Sequence, residues 1–466
     1  MRTPPWRLML VAGLFAAGIA MMEAGSRPGL RPDAEWFDGE RQGLISADLS
    51  YRLGDALELL GHRSGRDTGD TAAGFRERAV AGYERLALGA SHDAAALHRL
   101  GLIYGARGYA PQARDMLGRS AAQADQRAAA LFAVANLYDP DRPPSPADRE
   151  PPAALLEQGG WLSDMALVAW AERRGTAEQL AEYEARRDRH TVRFGLVLAA
   201  LAAMYVVLGL SGLVVMTLEV VRWGFFLPRK APARPPLALP WGPLDAAETA
   251  GVAFFAMASL GLVAGLLGDL PVVRSAPPAA RLALAIAQYL VLAGAVLAVI
   301  WARLPSTGRR NLTLLGLHGR PPAPLVVSGM VGYGLLLCLL GLANLLGLTA
   351  VPTAAGSDPL LAVTQDPRSV VALYVFVCGI VPLLEETIFR GFVYAGLRQG
   401  YPVFSATLLS ALLFAAMHYS LAALVPIGLI GVVLAQLYER TRSLLPPIIC
   451  HGLHNLLVLT LIVMVQ

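Results

Sequence analysis

Three polar groupings interrupt apolar sequence near the C-terminus. Glu385, Glu386 and Arg390 stand in the run Leu-Leu-Glu-Glu-Thr-Ile-Phe-Arg-Gly at 383–391. Phe414 and His418 follow, four residues apart, and then His451 and Asn455, also four apart. Insertion scales put one charged side chain at a bilayer centre at roughly 2.5–3.5 kcal/mol, so three ionisable groups there need a compensating purpose. On a helix, residues four apart share a face. Glu386 therefore meets Arg390 along its own helix, Glu385 is turned toward another helix, Phe414 buttresses the His418 ring, and His451 and Asn455 project together. A carboxylate in a low dielectric becomes a stronger base. Histidine and asparagine supply hydrogen bonds to a developing oxyanion. These residue types in this order suit activation of water against an amide.

Each grouping has a plainer reading beside this one. A Glu-Arg pair at this spacing is also a common structural salt bridge, a single histidine near a helix end is commonly a hydrogen-bonded packing residue, and a His-Asn pair also serves as glue between membrane helices. Their joint occurrence within one bundle is what points to a site.

The ordered trio Glu-Glu-x-x-x-Arg, Phe-x-x-x-His and His-x-x-x-Asn resembles the CPBP family of intramembrane proteases, which includes the type II CAAX prenyl endopeptidases and bacteriocin-processing or immunity proteins. The resemblance covers about residues 370–460, and all three motifs stand without substitution. It implies a helical membrane core with a site open to one leaflet and the cytoplasm. It also implies that Glu385 activates water, that His418 and Asn455 hold the water and the oxyanion, and that Glu386 and Arg390 support the geometry. His451 is a further polar member, and His454, between motif positions, receives no role. Glu385, His418 and His451 together could hold zinc with an open position. No His-Glu-x-x-His occurs, and the metal-free glutamate reading, with no cofactor, is preferred.

Stepping outward, these residues must be carried by membrane helices. The 466-residue chain is 55% hydrophobic and only 16% charged, where a soluble domain has closer to ~25% charged residues. Apolar runs occur at 8–22, 194–217, 247–268, 282–302, 323–347, 369–390, 403–419, 421–438 and 445–465, most of them near the ~20 residues that cross a hydrocarbon core. Arg2 and Arg7 precede the first run, which reads as a signal anchor; a cleaved signal peptide is the alternative. Arginines at 222–234, 303–320, 398 and 440–442 fall on alternate loops, which places those loops in the cytoplasm. The expectation is an all-α protein of the cell (inner) membrane with a cytoplasmic N-terminus and residues 23–190 outside the cytoplasm. Its parts are a signal anchor at 1–27, a helical domain at 28–190, a second span with a basic linker at 191–245, and a protease-like membrane domain at 246–466.

Residues 28–190 read as soluble helices. Leu97, Leu100, Gly101 and Tyr104 recur 34 residues later as Leu131, Val134, Ala135 and Tyr138, and Ala79 and Tyr83 recur as Ala113 and Leu117. That period and pattern resemble the tetratricopeptide (TPR) unit, in which glycine permits close helix approach. Such a repeat presents a surface for a protein partner. His62, His92, His98 and His190 read as solvated, and Asp245 and Glu248 as acids at a span end. Cys338, Cys378 and Cys450 all lie in apolar runs, so no disulfide framework is expected. No basic patch suggests nucleic acid.

The leading expectation is an intramembrane endopeptidase acting on a membrane-associated peptide or protein. A non-enzymatic membrane adaptor or immunity-type protein, binding partners through the repeat surface, is the main rival. An ion or proton carrier is a third reading, weakened because the chain shows no related halves.

Overall fold

The structure is a computed structural model that describes residues 5–25, 39–88, 94–123, 150–158, 160–225, 238–268, 270–305, 312–317, 322–346, 348, 367–418 and 424–465. Helices account for all the regular structure there, and no strand occurs among the described residues. In chain order they are α1 (Pro5–Gly25), α2 (Gly39–Ser64), α3 (Gly69–Leu88), α4 (Ala94–Ala106), α5 (Ala110–Gln123), α6 (Ala153–Gln158), α7 (Gly160–Arg174) and α8 (Ala177–Phe225). Then come α9 (Pro243–Gly268), α10 (Pro278–Arg303), α11 (Pro322–Leu345), α12 (Arg368–Leu397), α13 (Val403–Ala416), α14 (Leu424–Thr441) and α15 (Leu445–Val465). Two compact units divide the chain: residues 38–202 with 464–466, and residues 1–37 with 203–463. The boundary falls within α8.

The unit at 38–202 is built from helical hairpins. Asp67 accepts from the Gly69 N–H to start α3. Thr176 and Gln179 exchange hydrogen bonds as a capping box that starts α8. Gly108, at φ +87°, ends the α4 turn in the left-handed region that favours glycine. A Cβ on Gly101 would sit 2.6 Å from Leu117 Cγ, so that glycine lets α5 lie against α4, as its place in the pattern predicts. Ala79, Tyr83, Leu97, Leu100, Ala113 and Leu117 are all buried. The second copy of the repeat, Leu131 to Tyr138, lies outside the described residues, as do His92 and most of the proline-rich stretch at 140–152.

Two carboxylates are buried in this unit. Asp48 accepts from Arg99 Nε through both oxygens, at 2.9 and 3.0 Å, and from the Tyr83 hydroxyl. Asp164 lies 3.2 Å from Arg186 Nη2 and 2.6 Å from His190 Nδ1, so His190, though 42% exposed, also has a carboxylate beside it. His98 is half-buried, and desolvation pushes its imidazole down to about 4. Burial likewise raises Asp55 to about 6, against the pull of Arg76. Reading His98 as solvated was wrong because its neighbours Leu97 and Leu100 carry it into the core.

Among the described residues, six helices are long and apolar enough to cross a membrane: α8, which runs across the boundary, and α10, α11, α12, α14 and α15 of the other unit. Residues 6–17 of α1 and all of α13 are shorter apolar helices. Each apolar run of the sequence corresponds to a helix. Glycines set the closest approaches. A Cβ on Gly334 of α11 would sit 1.9 Å from Leu208 O of α8, and one on Gly212 only 2.1 Å from the Gly334 backbone, the small-residue contact that membrane helices use in place of hydrophobic driving force.

Helix α1 is a packed member of this bundle. Its Phe15 ring lies 5.1 Å from that of Phe254 on α9. Its Arg7 donates to Glu248, and to Asp245 at 2.6 Å. Arg303, at the end of α10, donates to the same two acids at 2.7 and 3.0 Å. Asp245 and Glu248 are therefore a two-acid, two-arginine cluster, not simply acids at a span end. The partners lie more than fifty residues away in sequence, which hid the pairing. The basic linker residues Arg229, Lys230 and Arg234 lie outside the described residues.

Candidate active site

Helix α12 is not uniform. It winds as a π-helix at Phe376–Ile380, returns to α-helix at Val381–Glu386, and is π-helical again at Thr387–Tyr394. Such wide turns recur at functional sites because they re-aim side chains and loosen the backbone ladder. Glu385 and Glu386 sit between the two. Residues 386–397 are all buried.

The two glutamates face different surroundings. Glu386 is fully buried. Its Oε1 accepts from Arg390 Nη1 at 2.9 Å and from His451 Nδ1 at 2.9 Å. Arg390 is equally buried; it donates on to Gly431 O at 3.3 Å and lies 4.3 Å from the centre of the Phe414 ring. Glu385 is 19% exposed. Its Oε1 accepts from the Tyr289 hydroxyl of α10 at 2.9 Å. Its Oε2 lies 4.0 Å from His451 Nε2. His451 thus stands between both carboxylates, one on each ring nitrogen.

Phe414 organises the aromatic wall. Its ring is edge-on to His418 at 5.2 Å, to His451 at 5.8 Å and to Phe389 at 5.1 Å. His418 Nδ1 lies 3.0 Å from Phe414 O. A carbonyl only accepts, so Nδ1 carries the hydrogen and Nε2 of the neutral ring is an acceptor. Asn455 Nδ2 donates to Val377 O, in the first π segment, at 2.8 Å. One of its amide hydrogens therefore serves α12 itself.

The structure brings Glu386, Arg390 and His451 into one hydrogen-bonded group, with Glu385 4.0 Å from His451, and sets His418 against it through Phe414. Asn455 is joined to it through the backbone of α12. Tyr289 is a member that sequence reasoning missed: a tyrosine in an apolar span gives no local signal. Its ring also meets Phe376 edge-on at 5.4 Å, so two contacts hold it. His454 meets Tyr333 edge-on at 6.3 Å, away from both glutamates.

The zinc alternative fits poorly. Ligands on one tetrahedral zinc lie about 3.4 Å apart, from metal–ligand bonds near 2.0–2.2 Å. Glu385 Oε2 and His451 Nε2 are at 4.0 Å, and among the described residues no three His, Cys, Asp or Glu side chains are grouped to hold a metal.

This region is also where the chain resembles known proteins. Residues 367–457 match the family described as Type II CAAX prenyl endopeptidase Rce1-like. A Bacillus subtilis (strain 168) protein, YdiL, whose name describes a membrane peptidase, is 35% identical over 91 residues. That stretch is 19% of this chain and 37% of the relative's length. No solved structure matches the chain. The match supports a multi-pass membrane protein with a peptidase domain, and it spans every residue of the group except Tyr289.

Proposed function

We propose that the chain is an intramembrane endopeptidase that hydrolyses a peptide bond of a membrane-associated substrate with water activated by Glu385. The observation that carries this is the 4.0 Å between Glu385 Oε2 and His451 Nε2. His451 gives its Nδ1 hydrogen to the Glu386 carboxylate, so the neutral ring presents Nε2 as an acceptor. Two acceptors at that separation suit one water. With hydrogen bonds of ~2.8 Å to each, the angle at the water oxygen is about 90°, near that of the molecule's own hydrogens. Its lone pairs then face outward, toward a substrate carbonyl.

The reaction follows from these positions. The water oxygen attacks the carbonyl carbon while Glu385 Oε2 takes the departing proton. The tetrahedral oxyanion accepts hydrogen bonds; Asn455 keeps a second amide hydrogen for that role, as the resemblance implies. Glu385 then returns the proton to the leaving nitrogen, the C–N bond breaks, and the base is restored. Glu386 fixes the His451 tautomer, and Arg390 balances the Glu386 charge. In its neutral form His418 accepts a hydrogen bond, which suits it to hold water more than an oxyanion.

For topology, we read nine spans in an inner membrane, with the arginine-rich loops in the cytoplasm. The clustering of Arg7 with Arg303 supports one side for both the start of α1 and the end of α10. Residues 23–190 then lie outside the cytoplasm, where a TPR-like surface would receive a protein partner. Membrane peptides from cells carrying the parent chain or Glu385→Gln provide the test. Fragments present only with the parent support hydrolysis. Identical peptides from both, together with a partner recovered equally on either chain, would favour the adaptor.

A further inference from the structure

Helix α8 changes character along its length. Residues 186–193 include Arg186, Arg187, Asp188, Arg189, His190 and Arg193, while residues 194–217 carry no charge. The other end of this apolar stretch carries Arg222, Arg229, Lys230 and Arg234, four bases against the four arginines at 186–193, so the usual cytoplasmic excess of bases does not explain the latter. The arginines at 186–193 therefore need a different account.

Ion pairing explains only some of them. Arg186 is held by Asp164 at 3.2 Å, and Arg187 reaches Asp188 at 3.3 Å. Arg189 and Arg193 are exposed, as is Arg63 at the end of α2. Among the described residues these three make no ion pair; Arg189 feels Asp164 only through longer-range attraction. They nevertheless converge. Arg63, Asp188, Arg189, Val192, Arg193 and Leu196 line one groove of about 650 Å³ between α2 and α8. Three guanidinium groups face one carboxylate, and that carboxylate is already shared with Arg187.

The groove is graded along the helix axis. Asp188 and Arg189 lie at one end, and Leu196, 67% exposed, at the other. At ~1.5 Å per residue the change from charged to apolar takes about 10 Å, close to the depth of a headgroup and glycerol region. The apolar end continues into the stretch that crosses the bilayer. Arginine forks match phosphate oxygens in geometry and charge.

We propose that this groove binds an anionic phospholipid, with its phosphate among Arg63, Arg189 and Arg193 and its acyl chains along Val192 and Leu196. A zwitterionic lipid, whose phosphate carries its own ammonium, fits the surplus positive charge less well. A free phosphate would leave the apolar end uncovered. Occupancy fixes the 193/194 boundary of α8 in the headgroup layer.

The test uses the full chain in phosphatidylcholine nanodiscs doped with phosphatidylglycerol, with the lipid retained after extraction counted by native mass spectrometry. The parent should keep phosphatidylglycerol over phosphatidylcholine. The triple variant Arg63→Ala, Arg189→Ala, Arg193→Ala should hold it about a hundredfold more weakly, from about tenfold or less per basic residue near an anionic surface. A triple variant at exposed positions elsewhere, Arg66→Ala, Arg78→Ala, Arg85→Ala, should retain the parent's lipid, and inorganic phosphate should not displace it. These side chains are exposed, so loss of fold is not expected; equal helix content by circular dichroism in all three chains checks it. Equal retention of both lipids by the parent, unchanged retention in the groove variant, equal loss in the control variant, or displacement by phosphate alone would each overturn the proposal.

Discussion

Asp48 and Glu385 are both carboxylates drawn out of water, and they are finished differently. Asp48 is 1% exposed, and both oxygens accept from Arg99 while Tyr83 adds a third bond. Each of its oxygens has a partner. Glu386 is fully buried and held at Oε1 by Arg390 and His451, while its Oε2 has no hydrogen-bond partner among the described residues. Glu385, its neighbour, is partly exposed, with one oxygen held by Tyr289 and the other facing His451 across 4.0 Å. A buried carboxylate with both oxygens engaged, as in Asp48, holds a fold together. One held by a single oxygen beside a second acceptor is set up for chemistry. Adjacent residues of a helix point about 100° apart, which gives the two glutamates different surroundings, and the two π turns of α12 flank them.

Four substitutions break or sharpen that contrast. Glu385→Gln removes the base without changing shape; kcat should fall by about 10²–10⁴-fold with the thermal midpoint unchanged. Asp48→Ala should do the reverse, lowering the stability of the unit at 38–202 by about 3–5 kcal/mol, because a buried charge loses its partner. Calorimetry should show that loss, while cleavage below the transition stays at the parent rate. Tyr289→Phe keeps the ring against Phe376 and deletes only the hydroxyl. We expect kcat down about tenfold with KM unchanged, one hydrogen bond to a charged group being lost. A change in KM alone would make Tyr289 a packing residue.

The smallest expected effect is a pH dependence in the unit at 38–202. His98 is pushed down to about 4 when folded, against 6.5 ordinarily. Between those values the unfolded chain binds the proton and the folded chain does not, so His98 costs stability as pH falls from 6.5 to 4. Asp55, raised to about 6, has the opposite sign, since its folded form holds a proton that the unfolded form releases. The two nearly cancel in the parent. In His98→Gln the Asp55 slope should emerge, with stability falling by on the order of 2 kcal/mol as pH rises from 4 to 6. Thermal midpoints across that range read it.

The sequence showed the site unevenly, for physical reasons. Pairs four apart, such as Glu386 with Arg390 and Phe414 with His418, are dictated by helix geometry and needed no tertiary information. Membrane helices were visible as apolar runs for the same local reason. Tyr289, 96 residues from Glu385, and Arg7, 241 from Glu248, depend on how helices pack, and nothing nearby in sequence marks them. The π turns were hidden because the choice between α and π winding leaves no mark in residue type. Asn455 pairs with a backbone carbonyl, and backbone partners leave no trace in residue type. His98 was misread because burial of one helix face is set by its neighbours in space.

The central claim is that Glu385 delivers water to a peptide bond. The direct measurement is cleavage of a reconstituted transmembrane-peptide mixture by the purified full chain in ¹⁸O-labelled water, with products weighed by mass spectrometry. The account predicts new C-termini carrying solvent ¹⁸O with the parent and no product with Glu385→Gln. Labelled product from Glu385→Gln at the parent's rate would contradict it.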